Sequence, residues 1–142
     1  VIRKCNVMLE ENNIQVIFDE KEHIYVYADD FYIEQVMTNY FTNAIKHAKE
    51  VDGKKQIKIT IKDVNNKVRV DVFNTGDKIP EEDLTRIWGR FYKVDDSRNR
   101  ENSGSGIGLS IVRAIQNNYQ NEYGVQNFSN GVEFYFDIST KK

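Results

Sequence analysis

The chain is poor in the residues that cross-link, kink or ligate: one cysteine, one proline, one tryptophan and two histidines in 142 residues. The lone Cys5 closes no internal disulfide and, with no CxxC or His-rich tract beside it, offers no zinc site, so a reducing compartment, the cytoplasm, is expected. No apolar run approaches the roughly 18 to 20 residues of a membrane-spanning helix. Charge of one sign is lacking too. Twenty Lys and Arg against 22 Asp and Glu leave a formal charge of −2, which gives no electrostatic reason to bind nucleic acid or an anionic membrane. The chain opens Val-Ile-Arg-Lys, without an initiator Met or a signal-peptide core, and the expectation is a domain excised from a longer protein. One domain over residues 1–142 is expected, burying roughly two thirds of the surface its unfolded chain would expose.

What is present is β-forming and aromatic. Eight Phe and eight Tyr, with many Val and Ile, favour a sheet packed on helices. Ile2, Cys5, Met8 and Leu9 recur at helical spacing up to Glu11, with Asn12-Asn13 as a stop. Ile14–Phe18 and Ile24–Ala28 read as two strands, paired antiparallel across a charged turn. Asp29 or Asp30 caps a long helix running to about Lys49. Gln56–Asp63 and Lys67–Phe73 alternate apolar and polar around Asn65-Asn66, the mark of a β-hairpin. A short helix starts at Pro80 and continues to about Gly89, and Val94–Gly106 is polar. Ile107 to about Tyr119 is helical again, and Glu122–Phe128 and Val132–Ile138 flank Ser129-Asn130-Gly131 as a last hairpin. This order predicts an antiparallel-rich sheet with its helices on one face.

The long helix carries an unusual polar stripe. At about 100° per residue, Ile33, Met37, Tyr40, Phe41, Ala44 and Ala48 share one broad face, while Gln35, Asn39, Asn43, Lys46 and His47 share the other. A solvated face is normally filled with Lys, Glu and Arg; here three amides recur at i, i+4 and i+8, from residue types that are mediocre in helix interiors. An amide oxygen ligates a hard cation without adding charge, an amide NH₂ donates to phosphate, and Lys46 supplies a point charge. The stripe suits a magnesium–polyphosphate ligand, and equally a plain solvated surface. Gly104-Ser105-Gly106-Ile107-Gly108-Leu109 sets alternate glycines before a helix, where free backbone amides and the helix N-terminus favour an anion. It is neither a Walker A nor a Rossmann fingerprint, since Leu109 holds the place of the last Rossmann glycine.

In combination these segments resemble a known family. Asn39-Tyr40-Phe41-Thr42-Asn43-Ala44-Ile45-Lys46-His47, then Asn74-Thr75-Gly76, then Arg90-Phe91-Tyr92-Lys93, then Gly104–Leu109 are similar, in order and spacing, to the N, G1, F and G2 boxes of the catalytic ATP-binding domain of bacterial two-component sensor histidine kinases. The resemblance implies the Bergerat-type α/β (α+β) two-layer sandwich of the GHKL superfamily, a mixed, mostly antiparallel sheet of about five strands with about three helices on one face. It implies ATP and Mg2+ as ligands, with Asn39 on the metal, Asn43 and Lys46 on the phosphates and His47 against adenine. Arg90 and Lys93 would approach the γ-phosphate, Phe91 would pack the base of a lid, and Gly104, Gly106 and Gly108 would form that lid. Ser105, Ile107, Leu109, Asn74, Gly76 and Ile79 join the implied nucleotide contacts.

Two departures stand out. The G1 box usually opens with Asp, and here it is Asn74; its second glycine is Lys78, so the turn must avoid a left-handed conformation or strain Lys78 into it. The superfamily's water-activating ATPases place Glu one turn before the magnesium Asn. Here that position is Gln35, and an amide is no general base, while Glu34 points about 100° away. Transfer to a protein nucleophile is therefore expected over hydrolysis. Neither His23 nor His47 sits in a phosphoacceptor setting, so the resemblance implies a partner: a dimerisation/phosphoacceptor histidine domain preceding Val1, with a response regulator downstream. The parent would be a homodimeric, membrane-anchored sensor and this domain alone a monomer. An anti-sigma-factor-type serine kinase, or a degenerate module that has lost nucleotide binding, remain the alternatives.

Overall fold

The computed structural model describes residues 6–11, 13–18, 30–64, 66–89 and 108–139. Within them, helix α1 (Asn6–Glu11) leads to strand β1 (Gln15–Phe18), helix α2 (Asp30–His47) and the strands β2 (Gln56–Val64) and β3 (Lys67–Thr75). Two 3₁₀ turns, Glu81–Asp83 and Arg86–Trp88, are followed by α3 (Gly108–Asn118) and the strands β4 (Tyr123–Phe128) and β5 (Gly131–Ser139). The strands form one sheet in the order β1-β2-β3-β5-β4, with β1 parallel to β2 and the other pairs antiparallel. The expected strand Ile24–Ala28 and its pairing lie outside the described residues. Among those residues no helix is long and apolar enough to cross a membrane.

Side-chain alternation builds the core. Val68, Val70 and Val72 of β3 and Val132, Phe134, Phe136 and Ile138 of β5 all face the helices and are buried. On α2 the buried stripe is Val36, Tyr40, Phe41, Ala44 and Ile45. Val36 and Ile45 were absent from the expected apolar face; the sheet below and α3 alongside cover a wider arc of the helix than one narrow stripe. The expected helix from Pro80 to about Gly89 is instead two 3₁₀ turns. The first closes with Asp83 N–H donating to the Pro80 carbonyl at 2.8 Å, and the second buries Ile87 and Trp88. Trp88 meets Tyr123 at 4.8 Å and Phe134 at 5.8 Å between ring centroids, and this aromatic packing fixes the short segment that leads away from the G1 turn.

The opposite face of the sheet is polar yet partly sealed. Asp71 and Asp137 are 3% and 2% exposed. Arg69 grips Asp137 with two hydrogen bonds, Nε to Oδ1 at 2.7 Å and Nη2 to Oδ2 at 3.0 Å, and its guanidinium lies 4.3 Å over the Tyr135 ring. The pair sits directly across the β3–β5 ladder, where opposite charges support each other.

Candidate functional site

The end of α2, the end of β3 and the start of α3 converge on one hollow. Its wall includes Asn43, Lys46 and His47 from α2, Asn74 from β3, Lys78 and Ile79 from the following loop, and Leu109 from α3. Its free volume is about 630 Å³ counting the open mouth. Apolar Ile87, Val132 and Phe134 floor one side, while the amides and lysines hold the other. An apolar floor beside polar groups suits a ligand with a ring at one end and charge at the other.

Asn39 lies one turn before Asn43, and its side-chain nitrogen is buried with no hydrogen-bond partner among the described residues. A buried polar atom left unmet costs stability unless something else takes it. Gly108, first residue of α3, stands over this amide: a Cβ there would sit 3.3 Å from Asn39 Oδ1. The positive end of α3 therefore opens beside an unsatisfied carboxamide, an arrangement made for oxygen-rich anions. A carboxamide so placed serves a phosphate oxygen through its nitrogen or a hard cation through its oxygen. Those residues fit a magnesium–phosphate group.

The G1 segment is held rigid. Asn74, 2% exposed, donates from Nδ2 to the Thr75 carbonyl at 3.1 Å, which leaves Oδ1 as the acceptor on offer. Thr75 Oγ1 accepts from Gln56 N–H at 2.9 Å and the Thr75 carbonyl accepts from Lys49 N–H at 2.8 Å. Gly76 has φ +150°, and a Cβ on it would lie 2.8 Å from the His47 carbonyl oxygen; only glycine fits between the end of α2 and the strand. Lys78, where the family pattern has a second glycine, is absent from the residues with positive φ. Lys78 itself avoids the left-handed region, so the substitution brings no backbone strain there.

The family model for histidine kinase-, DNA gyrase B- and HSP90-like ATPases matches residues 28–142. The chain belongs to that family. Sensor histidine kinase YkoH of Bacillus subtilis (strain 168) is 35% identical over 107 residues, 75% of this chain and 22% of that protein. Sensor protein CiaH of Streptococcus pneumoniae serotype 4 is 35% identical over 109 residues, 77% of this chain and 24% of that one. The catalytic domain of histidine kinase ThkA superposes with a TM-score of 0.83 at 34% identity, over 98% of this chain and 87% of that chain. ThkA in complex with the response regulator protein TrrA matches with a TM-score of 0.75 at 29% identity, over 99% of this chain and 38% of that chain. This chain thus spans about a quarter of the length of the curated relatives. It has the fold of a histidine kinase catalytic domain, and membership of this ATPase family makes it a nucleotide-binding domain.

Of the sequence-derived site, Asn43, Lys46, His47, Asn74, Ile79 and Leu109 line the hollow, and Asn39, Gly76 and Gly108 stand at its edges. Arg90, Phe91, Lys93, Gly104, Ser105, Gly106 and Ile107 lie outside the described residues. Sequence reasoning missed the floor residues Ile87, Val132 and Phe134. It also missed the Lys49–Asp77 ion pair at the mouth, Nζ to Oδ2 at 2.5 Å, which is well exposed and contributes little. Asn127 was missed as well, although a signal existed: asparagine is rare in strands, and this one follows Tyr123 and Val125 on the side of β4 that faces the core.

Proposed function

We propose that this chain binds Mg-ATP in the hollow between α2, the G1 segment and α3, and donates the γ-phosphoryl group to a histidine on a separate dimerisation/phosphoacceptor domain. The observation that carries this reading is Asn39: a buried amide nitrogen with no hydrogen-bond partner among the described residues, beside the start of α3, one turn from Asn43 and about two turns from Lys46 on the wall. Adenine would enter against Ile79, Ile87 and Phe134, with its amino group toward Asn74 Oδ1 and His47 alongside. Asn43 and Lys46 would hold the phosphates, and Gly76 lets the backbone come close. When bound, magnesium neutralises charge on the polyphosphate, and Asn39 is the side chain that would hold it. Arg90 and Lys93 would add charge at the γ-phosphate, and the Gly104–Gly108 stretch with Phe91 would close the site.

Gln35 supports transfer over hydrolysis, because an amide has no proton affinity with which to activate water. A histidine acceptor brings its own lone pair and needs positioning and charge stabilisation. The relatives' names, sensor kinases and a kinase complexed with a response regulator, support a two-component pathway with a regulator as the next acceptor. Titration with a fluorescent ATP analogue, with and without magnesium, tests the site: saturable, magnesium-enhanced binding is expected, and none at millimolar nucleotide refutes it. Incubation with a phosphoacceptor domain then separates outcomes, since phosphohistidine is acid-labile and phosphoserine is not.

A further inference from the structure

We infer that Asn127 is a positioning residue for the nucleotide site: its side-chain amide clamps the backbone of Ile79 from both sides and so sets the G1 loop. This rests on the nucleotide reading above. Ile79 N–H donates to Asn127 Oδ1 at 2.9 Å, and Asn127 Nδ2 donates to the Ile79 carbonyl at 2.8 Å. The side chain thus imitates a β-ladder pairing and satisfies both backbone groups of one loop residue, 48 positions away in sequence. Ile79 is itself 7% exposed and lines the hollow.

The same hairpin holds the loop a second time, where Gly76 N–H donates to the Asn130 carbonyl at 3.1 Å. Between the two attachments lie only Asp77 and Lys78, both exposed. Fixing residues 76 and 79 leaves a span too short to rearrange alone, which is how the chain keeps a defined turn without a second glycine. Next comes Pro80, whose φ is fixed and which has no N–H to donate, so it supplies no donor that could replace the Ile79 pairing. Beyond Gly76 and Pro80, the loop's shape therefore depends on Asn127, and a ligand meeting a preformed loop avoids the entropy of ordering it.

Asn127→Ala removes both bonds. We expect its affinity for the fluorescent ATP analogue to fall about tenfold or more, with the fold retained by circular dichroism. Gln116→Leu provides the comparison. Gln116 Nε2 donates to the Glu122 and Asp137 carbonyls at 3.0 and 2.9 Å, so its loss lowers the unfolding midpoint while leaving nucleotide affinity within about twofold. Asn127→Asp keeps the acceptor but sets a carboxylate against the Ile79 carbonyl; its binding should recover relative to wild type as the pH falls and the carboxyl regains a donor proton. Hydrogen exchange at the Ile79 amide needs no nucleotide and should accelerate in Asn127→Ala while the amides of β3 stay protected. If wild type binds and Asn127→Ala binds equally well, or if Gln116→Leu weakens binding as much, the positioning role is overturned while the nucleotide reading stands. If wild type binds no nucleotide, both fall.

Discussion

The hydroxyl of Tyr40 donates to the backbone carbonyl of Tyr135 at 2.9 Å, joining the middle of α2 to the centre of β5 across 95 positions. Burial holds the phenol pKa well above its ordinary value, with the nearby Tyr135 and Tyr123 pushing the same way. The ring is boxed by Phe134 at 5.4 Å and Phe136 at 5.6 Å. Because Asn39 and Phe41 flank it, the packed Tyr40 ring, with the other buried residues of α2, holds the helix in the rotation that turns Asn43 toward the hollow. Tyr40→Phe should cost about 1 kcal/mol of stability, the net value of one hydrogen bond, with nucleotide affinity little changed because the ring still holds the helix. Tyr40→Ala should cost about 3–5 kcal/mol. Urea unfolding of both variants measures it, and equal losses would show that the hydroxyl, not the ring, anchors the helix.

Gly76→Ala should damage stability and site together. The added Cβ meets the His47 carbonyl oxygen at 2.8 Å, Lys49 N at 3.4 Å and Asn74 Nδ2 at 3.5 Å, from a φ of +150° that alanine avoids. A cost of about 1–3 kcal/mol follows from the backbone strain alone. Since all three neighbours belong to residues that line the hollow, affinity for the ATP analogue should drop more than tenfold. Gly53, also at positive φ (+78°) but with nothing within 4 Å of its Cβ position, is the control: Gly53→Ala should lose stability without losing nucleotide.

Arg69→Met should destabilise the domain through the far face of the sheet. It strands Asp137, whose side chain is 3% exposed, as a buried charge without its fork. Removing one partner of a buried pair costs about 3–5 kcal/mol, and the low end applies here because Arg69 is 28% exposed. Replacing both, Arg69→Met with Asp137→Leu, should restore most of the loss. Chemical denaturation of the single and double variants tests this, and an additive double variant would contradict it.

Glu133 gives a pH signature. Burial raises its pKa above the ordinary 4.5, Asp71 raises it further by charge and hydrogen bonding, and Lys62 and Lys58 pull it down. A carboxyl whose folded pKa is raised takes up a proton more readily when folded. The folded state is therefore unpenalised below the unfolded pKa and loses stability as the pH rises through the window up to the folded one. Glu133→Gln should match wild type in acid and exceed it increasingly above about pH 4.5, read as the difference in urea midpoint across pH. A constant difference at every pH would remove the charge explanation.

The elements were legible where local pattern and burial agree. The Lys67–Phe73 alternation marked β3, and the C-terminal end of the polar stripe of α2, Asn43, Lys46 and His47, lines a hollow. Asp71 and Asp137 were not legible as buried, because alternation assigns them to the outer face and says nothing of the Arg69 fork on Asp137 or of Lys62 and Glu133 beside Asp71. Pro80 to Gly89 reads as helix from its acidic start, yet burying Ile87 and Trp88 against β4 and β5 demands two tight turns. The Asn127 clamp depends on a pairing across 48 residues that no local spacing encodes.

Asn39→Ala separates function from stability most sharply. Among the described residues the Asn39 amide nitrogen is buried without a partner, so truncation removes an unsatisfied group that itself costs about 1–3 kcal/mol, against a small loss of packing. Unfolding stability should stay level or rise. Magnesium-dependent nucleotide binding should vanish, since the residue proposed to meet cation and phosphate is gone. Asn43→Ala, on the wall one turn later, should lose binding with little change in stability. A structural asparagine behaves in the opposite way, losing stability first and binding only as a consequence. If Asn39→Ala unfolds more easily yet still binds the analogue with magnesium, this amide belongs to the scaffold, and the metal must be held elsewhere in the hollow.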